Sequence, residues 1–218
     1  MATRLTIETN ARTELQEATP GFWTAAELHR WYDDAHSEIV VATKQEATAT
    51  VTMVGGIESY SVPADFYLAR RIEVQSTAGS ATNWINVLPY SLDLRRPGDP
   101  LNSATLTSTP SGFYIFNNRV YFVPVPDQAY TSTLYYYKNA VQSSSDSDTP
   151  SYPEGIAQQR VDTAIFLYIC AQALRKRQDS AYTTYGSDYN AALGALTKDA
   201  LDRGSTAPLQ MVDDWLSG

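Results

Sequence analysis

The sequence predicts an α+β protein, a helical bundle formed by N- and C-terminal helices with an inserted antiparallel β domain. Three observations point there. Apolar residues recur at spacings of three and four up to about Lys44, at every second position from about Glu46 to Gln142, and again at three and four beyond Ile156. Neither end has enough helices to bury its apolar stripe alone, so the two ends must pack together. No internal repeat at a fixed period suggests a solenoid or propeller instead.

The N-terminal helices come first. Ile7, Ala11 and Leu15 mark a short helix that Pro20-Gly21 terminates. Thr24-Ala25-Ala26-Glu27 is a capping box, in which the Thr24 hydroxyl accepts from the Glu27 amide while Glu27 reaches back to the cap. Trp23 and Leu28 flank it at the positions of a hydrophobic staple. Leu28, Trp31, Ala35, Ile39 and Ala42 then form one stripe on a helix running to about Lys44.

The period then changes to two. Thr48 to Val54 is rich in β-branched residues and meets a Gly55-Gly56 turn before Ser59-Tyr60-Ser61-Val62. Arg71 to Gln75 and Asn83 to Leu88 alternate cleanly. Phe113 to Phe116, Asn117-Asn118 and Arg119 to Val123 read as a hairpin, because two asparagines tolerate the positive φ of a two-residue turn. Thr133 to Lys138 supplies another strand.

Gln142 to Ser151 is small, polar and bounded by proline, which predicts a loop or linker. Pro153 is placed as a helix start. The run Ala164 to Ala171 is apolar on every side, which puts Phe166 and Leu167 at the centre of the bundle. Arg175-Lys176-Arg177 closes this helix against its own dipole. After a break at Gln178-Asp179, Tyr182, Tyr185, Tyr189, Leu193, Leu196 and Ala200 stripe a last helix, antiparallel to the one before. The expected divisions are 1–45 for the N-terminal helices, 46–142 for the β insert, 143–204 for linker and helical hairpin, and 205–218 for a C-terminal docking tail.

Composition narrows the function. The 218 residues carry 16 Lys+Arg against 24 Asp+Glu, a net charge of -8, which argues against a broad phosphate-binding surface. Within 46–142 seven acidic residues face six basic ones, so Arg70-Arg71 and Arg95-Arg96 suggest local ion pairs. The longest apolar run falls far short of the ~20 residues of a membrane span. No signal-peptide pattern opens the chain, and the single Cys170 sits in an apolar run as a small core residue, both consistent with a soluble protein made in a reducing compartment. Tyr is unusually frequent, 15 against 6 Phe and 4 Trp, which suits half-exposed sheets and interfaces. His29, Asp33 and His36 share a helix flank with the spacing of metal ligands, yet that flank lies roughly 120° from the apolar stripe and is expected to face solvent or a neighbouring subunit. No nucleophile elbow, phosphate loop or His-Glu-x-x-His motif is present, and Asp33-Asp34 and Asp213-Asp214 are adjacent pairs that cannot converge on a substrate. No catalytic, cofactor or metal residues are expected, and the protein is read as not an enzyme.

Three stretches carry a resemblance. Phe22 to Ala35 is similar to the aromatic-entry capped helix of the head-to-tail adaptor (connector) proteins of tailed bacteriophages, particularly the short-tailed type. Gly56-Ile57-Glu58-Ser59-Tyr60-Ser61-Val62-Pro63-Ala64-Asp65-Phe66 resembles their Gly, Tyr, Leu-Pro, Asp-Phe strand, with Val62 in place of leucine. Tyr114 to Pro126 resembles the hairpin near the end of their β insert, and the helix–insert–helix order matches from about Leu5 to Arg203. The resemblance implies a structural virion protein of the neck, assembled in the host bacterial cytoplasm. It would form a homo-dodecameric ring joining the portal protein to the tail nozzle or tail tube, and line a passage through which double-stranded DNA moves without specific binding. A lumen of like charge would not retain DNA.

The other reading is a carbohydrate- or receptor-binding module of a phage tail, suggested by Tyr60, Trp84, Tyr90, Tyr114 and Tyr135 within one β domain. The C-terminal segment holds Pro208, Leu209, Met211, Val212, Trp215 and Leu216, too apolar for an idle solvated end. Leu209, Met211, Trp215 and Leu216 are therefore expected to be partner-binding residues that dock outside their own subunit.

Overall fold

The computed structural model describes residues 2–17, 21–75, 83–91 and 107–204, and its fold is α+β. The chain divides into two compact units, residues 1–45 with 139–218, and residues 46–138. The first unit holds α1 (Arg4–Glu14), α2 (Ala25–Ala42), α3 (Gln158–Arg177) and α4 (Tyr182–Gly204). From the expected stripes its core takes Ile7, Ala11 and Leu15, then Leu28, Trp31, Ala35 and Ile39 of α2 and Tyr189 and Leu196 of α4, whereas Ala42, Tyr185, Leu193 and Ala200 are half-buried and Tyr182 is exposed. The capping box forms, with the Glu27 amide donating to Thr24 Oγ1 at 3.3 Å and the Thr24 amide donating to Glu27 Oε2 at 3.0 Å. Trp23, just before the cap, is buried and donates its indole N–H to the Ala173 carbonyl at 3.0 Å, which ties the start of α2 to α3.

Two expectations for α3 need correction. The helix begins at Gln158 rather than at Pro153, because residues 153–156 make a turn, with the Ile156 amide on the Pro153 carbonyl and Gly155 at φ 69°. Phe166 and Leu167 are half-buried. The fully buried positions are Val161, Ala164, Ile165, Ile169, Cys170 and Ala173, since α3 is covered by three helices but not on its whole circumference. At its end Gln178 takes the left-handed conformation at φ 61°, and the Asp179 amide closes on the Leu174 carbonyl at 3.0 Å.

The second unit is a seven-stranded sheet: β1 (Glu46–Thr52), β2 (Ser59–Ser61), β3 (Phe66–Gln75), β4 (Trp84–Pro89), β5 (Gly112–Phe116), β6 (Arg119–Val123) and β7 (Thr131–Lys138). The spatial order is β1-β7-β3-β4-β5-β6-β2. Among the described residues the pairings between these seven strands are antiparallel except one. β4 and β5 run parallel through Leu88↔Gly112 and Pro89↔Phe113, as the long connection between these strands permits. The β5–β6 hairpin turns through Asn117 and Asn118 at φ 48° and 56°, the conformation expected of those residues. Alternation sets the faces. On β7, Ser132, Leu134 and Tyr136 are buried with Ile72, Val74, Val87, Phe113 and Phe122, while Thr131, Thr133, Tyr135 and Tyr137 point the other way. Register shifts in β3 leave Tyr67 and Arg70 as extra residues that bulge out of the ladder.

Candidate functional site

The most built-up polar cluster lies in the helical unit, where the segment after β7 returns along α1 and α2. Arg4 stands in the apolar spacing of α1, one turn before Glu8, and both are buried. Its guanidinium meets Asp146 Oδ1 at 2.5 Å, donates to Ser143 Oγ at 3.0 Å and lies 3.6 Å from Glu8 Oε1. His29 Nε2 lies 3.2 Å from Glu8 Oε2. Burial pushes the Glu8 carboxyl up to about 7, opposed chiefly by the charge of Arg4, and burial together with Arg4 lowers His29. The backbone adds to the cluster, with the Arg4 amide on Asp148 O at 2.8 Å and the Leu5 amide on Asp146 O at 3.2 Å.

The His29–Asp33–His36 flank of α2 therefore does not face solvent. Asp33 accepts from the Ser143 amide at 3.0 Å, and buried His36 accepts from the Ser151 amide at 2.9 Å. The flank is the floor on which residues 143–151 rest. Asp148 organises that segment from within by accepting from the Ser144 and Ser145 amides at 2.7 and 2.8 Å, which lowers its own pKa. Among the described residues no group of three or more His, Cys, Asp or Glu side chains is arranged to hold a metal ion. Burial raises Cys170 to about 12, so its thiol is inert at neutral pH.

In the β unit the aromatic residues suggested for sugar binding are separately engaged. The Tyr60 hydroxyl accepts from the Val54 amide at 2.8 Å and donates to Ile57 O at 3.1 Å, fastening the Gly55-Gly56 turn. Tyr114 stacks on Tyr121 at 4.7 Å between centroids. Tyr135 lies beneath the Arg71 guanidinium, 4.4 Å from the ring centroid, and its hydroxyl donates to Glu73 at 3.0 Å. Trp84 is exposed on β4. The tyrosine excess has a plain use: among the described residues seven phenols donate to carboxylates, four of them in the β unit (Tyr114, Tyr130, Tyr135 and Tyr136) and three in the helical unit (Tyr152, Tyr185 and Tyr189). A chain rich in acids and poor in lysine satisfies its carboxylates with tyrosine.

The basic clusters meet acids as well. Arg70 pairs with Glu46, Arg71 with Glu73 at 3.3 Å, and Lys176 with the capping Glu27 at 2.8 Å, an interaction that helps hold Glu27 at about 2. Arg95 and Arg96 lie outside the described residues, as do the expected partner-binding residues Leu209, Met211, Trp215 and Leu216. Sequence reasoning missed Arg4, Glu8 and Asp146. The signal was present, because Arg4, Ile7, Glu8 and Ala11 together follow the i, i+3, i+4, i+7 spacing of a buried stripe.

One comparison decides the family. The model of the SU10 adaptor protein family matches residues 2–212, nearly the whole chain. The chain belongs to the SU10 adaptor protein family. It is a bacteriophage adaptor, a structural component of the virion that associates with other head and tail components. A search of curated proteins finds no match. The membership accords with an adaptor built of two units with the β sheet inserted between its helices, and among the described residues no helix is long and apolar enough to cross a membrane.

Proposed function

We propose that this adaptor joins the portal protein to the tail nozzle or tail tube as a ring of copies, twelve in the dodecameric form, around the DNA passage. The match over residues 2–212 carries the reading. The net charge of -8 agrees with a lumen that DNA crosses without being held. In this reading the protein belongs to the virion neck and is assembled in the host cytoplasm. The isolated subunit is monomeric or weakly associated and becomes a ring on the portal, which supplies the effective concentration.

Leu209, Met211, Trp215 and Leu216 are the residues proposed to dock outside their own subunit, with Trp215 as the anchor. Mixing the purified chain with its cognate portal and imaging the product tests both proposals. Rings on the portal are expected with the full chain, and none with a chain lacking residues Gln210 to Gly218. Stable rings in light scattering without portal overturn the assembly order, and full-affinity binding by the truncated chain overturns the role of the tail.

A further inference from the structure

At one end of the helical hairpin α3 and α4 leave a groove of about 370 Å³, bordered by Ala157, Arg160 and Thr163 on one side and Ala192, Ala195 and Leu196 on the other. It exists because small side chains face each other there. Neighbouring Gly194 has open space where a Cβ would stand. The helices are antiparallel, so the first turns of α3 lie at the end where the chain leaves α4 at Gly204. The groove is thus open at the point of departure of an apolar segment, residues 205–218.

We propose that in the unassembled subunit Leu209, Met211, Trp215 and Leu216 rest in the α3–α4 groove of their own chain, and leave it when the head–tail joint forms. The proposal rests on the docking role of these residues given above and adds what holds them beforehand. Reach permits it. Leu196 lies eight residues before Gly204, about 12 Å along the helix, and the five residues Ser205 to Leu209 span up to about 17 Å when extended. Charge permits it, since Asp213-Asp214 sit between the apolar anchors while exposed Lys198 lies one turn beyond Ala195 and Arg160, which pairs with Asp199, borders the groove. Tethering favours the chain's own groove over another copy's, because a short linker holds the segment at an effective concentration on the order of millimolar.

Native proteolysis of the full chain with chymotrypsin, which cleaves after Leu209, Met211 and Trp215, reads the exposure of this segment. Cleavage tracks the population in which the segment is released, so Ala195→Glu, which puts a carboxylate in the groove, is expected to speed it about tenfold. Ala195 is exposed and glutamate is a good helix former, so circular dichroism should show an unchanged fold. Asn190→Glu, on another face of α4, is expected to leave the rate alone. Equal rates for wild type and Ala195→Glu overturn the proposal, and so does protection that grows with protein concentration, which would make a second copy the occupant. The two ideas fail separately. Loss of portal binding on truncation, with no effect of Ala195→Glu on cleavage, would sustain the docking role and sink the groove.

Discussion

In the helical unit the most deeply placed polar side chains include ions, Arg4 and Glu8, joined to His29 and Asp146, whereas in the β unit Tyr130, Tyr136 and Ser132 fill that place with hydroxyls. The difference follows from geometry. Arg4 and Glu8 are both buried where a returning segment covers them, so the Arg4 guanidinium turns to Asp146 and Ser143 while burial drives the Glu8 carboxyl toward its neutral form. A phenol on a curved sheet buries its ring in the core and carries its hydroxyl to a carboxylate at the rim, as Tyr136 does with Asp65 at 2.8 Å. Removing the guanidinium takes several contacts out of a buried site at once, while removing a hydroxyl loses one hydrogen bond.

That contrast sets the order of expected effects. Arg4→Ala removes the buried guanidinium's hydrogen bonds to Asp146 and Ser143 together with its packed stem, and is expected to cost about 2–5 kcal/mol, read by denaturant unfolding. A loss below about 1 kcal/mol would show that the cluster is solvated in practice. Ile169→Ala, in the fully buried part of α3, should cost about 2–5 kcal/mol, and Phe166→Ala less, because its ring is only partly covered. Equal losses at the two positions would contradict the burial pattern. Tyr136→Phe in the β unit is expected to cost about 1 kcal/mol, the net worth of one hydrogen bond.

The two units also differ in their response to pH. Burial raises Glu8 from an ordinary value of 4.5 to about 7, so the folded state favours its neutral form. Its contribution to stability is fully present below 4.5 and is lost as pH rises through about 7, with Arg4, Arg12, Asp33, His29 and Asp146 as the charges that face it. Glu8→Gln should flatten the melting temperature between these limits, and an unaltered slope would mean that Glu8 is ionised in the fold. For Tyr136, burial and then the Asp65 bond raise the phenol to about 12, so its stabilisation persists to pH 10 and fades toward 12. Absorbance at 295 nm should show one phenol fewer titrating late in Tyr136→Phe, the late titration of Tyr185 and the other raised tyrosines remaining. The smallest effect belongs to α4, where Gly194→Ala meets open space and is expected to stabilise the helix by about 0.5–1 kcal/mol.

Most of the elements could be located from local spacing alone. Period, capping box and the Asn117-Asn118 turn are local properties, so α1, α2, α4 and the β5–β6 hairpin lie close to where the spacing puts them. The α+β class followed from their order, and the resemblance to phage adaptors pointed to the family that the match over residues 2–212 establishes. The strand pairings, in contrast, depend on the folded chain. Nothing in the residues of β4 and β5 says that they lie parallel, since strand order depends on how the long connection crosses, which no local rule encodes. The fate of the His29–Asp33–His36 flank was likewise beyond the spacing. A polar flank reads as solvated until another segment covers it, and here residues 143–151, more than a hundred positions away, turn two of those side chains into hydrogen-bond acceptors for backbone amides. Burial of a polar residue is a property of its neighbours in space, so the spacing that puts Arg4 and Glu8 in a buried stripe still does not name Asp146 as the residue beside them.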